Sequence, residues 1–256
     1  MQRKIKMNYI IFDLDDTLLN NQREVTPYTL DVLQHLQKMG HKLVINTARS
    51  KAYSQEYFDL IRPDYAILNG GAQILDRKEQ VVFRAELDEC KTQAIVDDLL
   101  KLTENFSVQT ETVLYSHKCS YTGQSAVAFD FDKEKVSFSA LKIVASLKEE
   151  KMARYIAEKY ALEFTSYLNG SFRRFNHPDA TKAKGNQNLM KLVGGAMADV
   201  IAFGDDLGDI EMLRQAGVGV LMKNARADFY GMTSHITAFT NDEDGVARFL
   251  AEFFRI

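Results

Sequence analysis

One feature constrains this chain more than any other: an alternation of apolar runs and helical spacing that stops and later resumes. From residue 8 to 75, the strand-length apolar runs NYIIFDL, HKLVINT and DYAILNG alternate with TPYTLDVLQHLQKMG and SKAYSQEYFDLI, which carry helical periodicity. Thr26 suits the N-cap of the first helix, Pro27 its first turn and Gly40 its stop; the second must end before Pro63. Strand, helix, strand, helix, strand is the grammar of a parallel sheet with right-handed crossovers. The same grammar returns near 180, with the helix TKAKGNQNLMKLVG, the strand ADVIAFGD, the short helix LGDIEMLRQAG, the strand VGVLM and the closing helix DEDGVARFLAEFF.

The middle of the chain reads differently. AQILDRKEQVVFRA predicts a hairpin turning near Arg77 to Glu79, and LDECKTQAIVDDLLKLTENF an amphipathic helix. SVQTETVLYS, SAVAFDF and LKIVAS predict strands, KEEKMARYIAEKY a helix, and ALEFTSY and SFRRFN two more strands, with antiparallel pairing expected. The chain has no repeat and no low-complexity linker. The expectation is an α/β fold: a doubly wound, mostly parallel, Rossmann-like core over 1–76 and 175–256, interrupted by an inserted α+β domain at 77–174.

Composition narrows the function. With 256 residues and 46% hydrophobic content, the chain can fill a core in each part. A net charge of -3 gives no basic excess of the kind that grips nucleic acid, and lysines and arginines are scattered. The two cysteines, Cys90 and Cys119, lack the spacing of a disulfide framework or a Cys/His zinc site and read as buried or incidental thiols. MQRKIKMNYIIF lacks the apolar run of a signal peptide, and no segment reaches the ~20 apolar residues of a membrane span. A cytoplasmic protein with no membrane partner is expected.

In open parallel sheets, ligands bind beyond the carboxyl ends of the strands. Asp13 and Asp15 follow the first strand, Thr47 and Arg49 the second, and Asn69, Gly70 and Gly71 the third. Asp205, Asp206 and Asp209 follow the strand at 199–203, and Lys184 lies in the helix before it. Carboxylates crowded in this way resist joint ionisation unless a hard divalent cation joins them, and Mg²⁺ takes few carboxylates together with a phosphate. Asp13, Asp15 and Asp205 offer the metal ligands, and Thr47 and Lys184 the anion contacts. Singly, each has a plain reading: an Asp after a strand caps a helix, Thr47 can cap its own loop, and a lysine is commonly solvated, with Lys182 competing for the role of Lys184. The ordered set is the signal.

In that order the motifs resemble the haloacid dehalogenase-like hydrolases, of the Cof-type phosphatase group with a large cap after the third core strand. FDLDDTLL matches the first motif, NTAR the second, AKGNQNL the lysine motif and AFGDDLGDIEML the fourth; LMKNA and NDEDGVARFL are similar too. The resemblance covers nearly all of the core, and the inserted part only in length and coarse pattern.

It implies Mg²⁺-dependent hydrolysis of a small phosphorylated metabolite, with sugar phosphates as the substrate class. Asp13 would be nucleophile and metal ligand, and Asp15 the general acid/base, its backbone carbonyl also on the metal. Leu14, Thr47, Ala48 and Lys184 would hold phosphate, Asp205 the metal, and Asp209 would support the metal site from the same loop. Asp16 stands where cap-bearing relatives often have Gly. Gly208 stands where they usually have a phosphate-contacting Asn, which leaves Asn224 or a water as a substitute. The inserted part would close over the site, with Arg84, His117, Tyr121, Arg173 and Arg174 as candidate substrate contacts. The alternatives are a phosphomutase, a receiver-like phospho-accepting module and a degenerate binding protein.

Overall fold

The computed structural model describes residues 8–117, 126–167 and 172–256; Cys119 and Tyr121 lie outside them. In chain order the strands are β1 (Tyr9–Phe12), β2 (Lys42–Asn46), β3 (Tyr65–Leu68), β4 (Gln73–Asp76) and β5 (Val81–Arg84), then β6 (Phe106–Gln109), β7 (Leu114–His117), β8 (Val127–Ala128), β9 (Lys142–Ala145), β10 (Glu163–Tyr167) and β11 (Phe172–Asn176), and last β12 (Val200–Gly204), β13 (Val218–Leu221) and β14 (His235–Ile236). The helices are α1 (Pro27–Lys38), α2 (Gln55–Ile61), α3 (Glu89–Leu99), α4 (Glu150–Tyr160), α5 (Lys182–Val193), α6 (Leu207–Gln215) and α7 (Gly245–Phe254).

Two compact units result, one of residues 1–83 and 182–256, the other of residues 84–181. The first holds an eight-stranded sheet in the order β14-β13-β12-β1-β2-β3-β4-β5. Its first six strands pair in parallel and β4 runs antiparallel to β3. β1, β2 and β12 are rich in β-branched and aromatic residues and are buried on both faces, as strands covered by helices on two sides must be. Ile10 and Phe12 join a core with α1, α2 and α7; Ile11, between them, joins another with α5 and α6. The chain winds one way through β1, β2 and β3, then resumes at β12 on the other side of β1. That reversal makes the gap between β1 and β12 the topological switch point, where such sheets bind ligands.

The second unit is a six-stranded sheet, β10-β11-β9-β6-β7-β8, whose core takes side chains from α3 and α4. Two expectations need correction. The boundary does not fall at 76/77, because β4 and β5 extend the core sheet and carry the chain to residue 83 before it leaves. Nor is all pairing in the inserted sheet antiparallel, because β8 lies parallel to β7. Among the described residues, no helix is long and apolar enough to cross a membrane.

Candidate active site

The carboxyl ends of β1, β2 and β12 lie side by side, because the three strands are parallel neighbours. Asp13 leaves β1 with its amide donating to the Phe203 carbonyl at 3.2 Å, which ties the two loops at the switch point. Its carboxylate is buried; Oδ2 meets Lys182 Nζ at 2.7 Å, while Oδ1 has no hydrogen-bond partner. The same ammonium donates to Asp209 Oδ1 at 2.6 Å.

Asp209, fully buried in α6, organises the fourth loop. Its Oδ2 accepts from the amides of Asp205 and Asp206 at 3.3 and 3.2 Å. Gly204 makes this packing possible: a methyl group there would lie 2.4 Å from Asp209 Cβ. Asp205 accepts from the Thr17 hydroxyl at 2.7 Å, so the Thr of the first motif braces the acid of the fourth.

Asp13, Asp205 and Asp209 each bring a carboxylate oxygen to within 4.8 Å of the others. Burial, with Asp209 adding to it, pushes Asp205 up to about 8. Burial also pushes Asp13 up, to about 7, against the pull of Lys182. Lys182 is itself raised, because the attraction of two carboxylates outweighs its burial, and it stays charged. When all three acids are ionised, one cation leaves negative charge over, and Asp13 Oδ1 has no hydrogen-bond partner to offset it. This donor set fits a hard divalent cation, which Asp13 and Asp205 are placed to hold; Asp209 is the poorer ligand, because both its oxygens are already engaged.

Several sequence expectations meet a different geometry. The lysine in contact with Asp13 is Lys182, where Lys184 was expected; Lys184 is exposed, two residues along α5 and about 200° around it. Asn46, which sequence reading did not single out, anchors the start of that helix by donating to the Lys182 carbonyl at 2.9 Å and to Asn186 Oδ1 at 2.8 Å. Asp15 does not bring its carboxylate to the acidic cluster. Arg49 grips it through Nε at 2.9 Å and Nη2 at 2.5 Å, and donates to the Tyr53 carbonyl at 3.1 Å. Thr47 is fully buried, with its hydroxyl accepting from the Arg49 amide at 3.2 Å, while Ala48 beside it is exposed and Leu14 is buried.

Asn224 spends its carboxamide on loop closure. Its Nδ2 donates to the Asp16 carbonyl at 2.7 Å and its Oδ1 accepts from the Asn241 amide at 3.0 Å. A Cβ on Gly208 would meet nothing within 4 Å, so the side chain usual in relatives has room there. In the inserted unit, Arg84 pairs with Glu86 and Glu111, Arg173 is buried, and Arg174 reaches Thr165 Oγ1 at 3.4 Å. Cys90 is an exposed free thiol, the incidental one of the two readings.

Comparison with known proteins gives the same class. A family model for haloacid dehalogenase-like hydrolases matches residues 10–250. The 5-amino-6-(5-phospho-D-ribitylamino)uracil phosphatase YitU of Bacillus subtilis is 27% identical over 268 residues, covering 96% of this chain and 97% of its own. Among solved structures, the phosphatase BT1666 of Bacteroides thetaiotaomicron superposes with a TM-score of 0.83 at 20% identity, covering 100% of this chain and 98% of its own. The subclass IIB sugar phosphatase BT4131 gives 0.78 at 21%, covering 97% and 99%. The chain belongs to the haloacid dehalogenase-like hydrolases, as an enzyme of the Cof-type phosphatase group.

Proposed function

We propose that this protein is a Mg²⁺-dependent phosphatase of a small phosphorylated metabolite, a sugar phosphate by class, working through an aspartyl phosphate on Asp13. One observation carries the reading: a buried carboxylate with one oxygen fixed by Lys182 and the other without a partner, beside Asp205, at the switch point of the sheet. Such an oxygen is held in place by its neighbour and makes no hydrogen bond that attack would have to break. Asp13 attacks phosphorus, a new P–O bond forms, and the ester P–O bond to the leaving alcohol breaks. Asp15, released from its pair with Arg49 and carrying a proton taken from solvent, gives that proton to the alcohol. It then takes a proton from the water that attacks the aspartyl phosphate, releasing inorganic phosphate.

Lys182 offsets charge on the nucleophile and on the phosphoryl oxygens throughout. Bound at Asp13, Asp205 and the Asp15 carbonyl, Mg²⁺ would supply further positive charge to the transferring phosphoryl group. The relatives named for a ribityl phosphate and for sugar phosphates support a phosphorylated sugar or polyol as substrate.

The test is inorganic phosphate release from a panel of sugar phosphates, nucleotides and pyridoxal phosphate, with and without Mg²⁺. Expected are turnover that needs the metal, no isomeric sugar phosphate as product, and loss of turnover in Asp13→Asn. An isomeric product would mean a phosphomutase, and a phosphoaspartate that persists after phosphodonor treatment would mean a receiver-like module. Full activity in Asp13→Asn would refute the nucleophile assignment.

A further inference from the structure

We propose that the inserted unit carries a divalent-cation site of its own, formed by His117, Asp130 and Asp132. His117 ends β7 with 1% of its surface exposed, and neither ring nitrogen has a hydrogen-bond partner. Its ring stacks on Phe106 with centroids 5.0 Å apart and meets Phe131 edge-on at 5.8 Å. An imidazole always carries polar nitrogens, and burying them unused among aromatic rings is rare. Here Nε2 lies towards the Asp132 carboxylate. It lies 3.5 Å from Asp132 Oδ2, and one donor atom each from His117, Asp130 and Asp132 falls within 4.8 Å of the others.

The His117–Asp132 spacing is longer than a closed hydrogen bond and leaves room for an ion between the two groups. A charge-assisted hydrogen bond closes to about 2.7–2.9 Å. Ligand atoms about 2.0–2.2 Å from a tetrahedral centre stand about 3.3–3.6 Å from one another, and the 3.5 Å between His117 Nε2 and Asp132 Oδ2 fits that range. Asp130 is held in place by its own turn, its Oδ1 accepting from the Asp132 amide at 3.3 Å and its carbonyl from the Lys133 and Glu134 amides at 2.9 and 2.8 Å. Lys133 Nζ sits 2.8 Å from Asp130 Oδ2 on a side chain that is 81% exposed, so the ammonium can turn into water when a cation arrives. One imidazole nitrogen with two carboxylates suits zinc and its neighbours, whereas Mg²⁺ and Ca²⁺ take oxygen sets. Three protein ligands leave one position for water.

The experiment titrates Zn²⁺ into the full-length protein, stripped with a chelator and kept in saturating Mg²⁺, and follows heat and Tm; Co²⁺ then replaces Zn²⁺ for visible absorption. The expected result is one Zn²⁺ per chain with a rise in Tm. Asp132→Asn, at an exposed position, should weaken it by about tenfold or more, and His117→Gln should do the same. Asp205→Asn should retain it, which separates this site from the acidic cluster of the core. An absence of Zn²⁺ binding, equal binding by Asp132→Asn and the unaltered protein, or binding lost only in Asp205→Asn would overturn the proposal in favour of a plain His117–Asp132 contact.

Discussion

Two lysines separated by one residue have unlike surroundings, because a helix turns about 100° per residue. Lys182 sits at the buried start of α5 against Asp13 and Asp209, and Lys184 is exposed. Lys182→Met is expected to lower kcat by about 10²–10³-fold, as loss of a charge aimed at the reacting group does, while Lys184→Met stays within a few-fold of the parent. Steady-state kinetics on the best substrate of the panel decide this, and the reverse ranking would reassign the lysine. The sequence placed both lysines in one helix ahead of the fourth motif. The phase of the helix was illegible, because either lysine could face the sheet until the Asn46 side chain fixed the first turn. Asp16 illustrates the same limit: its φ of +53° is a left-handed conformation that favours Gly, which explains the usual residue in relatives and is tolerable for Asp.

Where local chemistry sets the boundaries, elements follow sequence closely. The Thr26 hydroxyl accepts from the Thr29 amide at 3.1 Å, Pro27 opens α1, and Gly40 leaves it at a φ of +96°. The same hydroxyl donates to Asp244, next to α7. Thr26→Ala should therefore cost about 1–2 kcal/mol and lower Tm by about 2–8 °C, read by thermal unfolding. An unchanged Tm would mean that water replaces both contacts. SVQTETVLYS was harder to read. Its even polarity suggests one long strand, yet it folds as two. The Thr110 amide donates to the Val113 carbonyl at 2.9 Å and the Val113 amide to the Thr110 hydroxyl at 3.0 Å, which turns the chain between β6 and β7. A side-chain turn of this kind carries no glycine or proline to announce it.

At the scale of the whole molecule, the acidic cluster links folding to pH and metal. Asp205 and Asp13 are pushed up to about 8 and about 7, chiefly by burial. Unfolded, both would ionise near pH 4. Between those values the metal-free folded protein holds protons that the unfolded chain has released, so this cluster's contribution to stability falls as pH rises from about 4 to 8. A cation that prefers ionised carboxylates removes the loss. Mg²⁺ should therefore raise Tm more at about pH 8 than at about pH 5.5, and an equal or smaller increment at the higher pH would contradict the linkage.

The sequence by itself determined the strand–helix alternation of the core, its interruption by an α+β segment and the acids after the strand ends, because hydrophobic periodicity and motif spacing are local properties of a chain. Only the tertiary structure decided which lysine meets Asp13, that Arg49 holds Asp15, that Asn224 closes loops, and that His117 lies beside two acids. Those facts depend on distances between segments far apart in the chain, and such distances are fixed by packing.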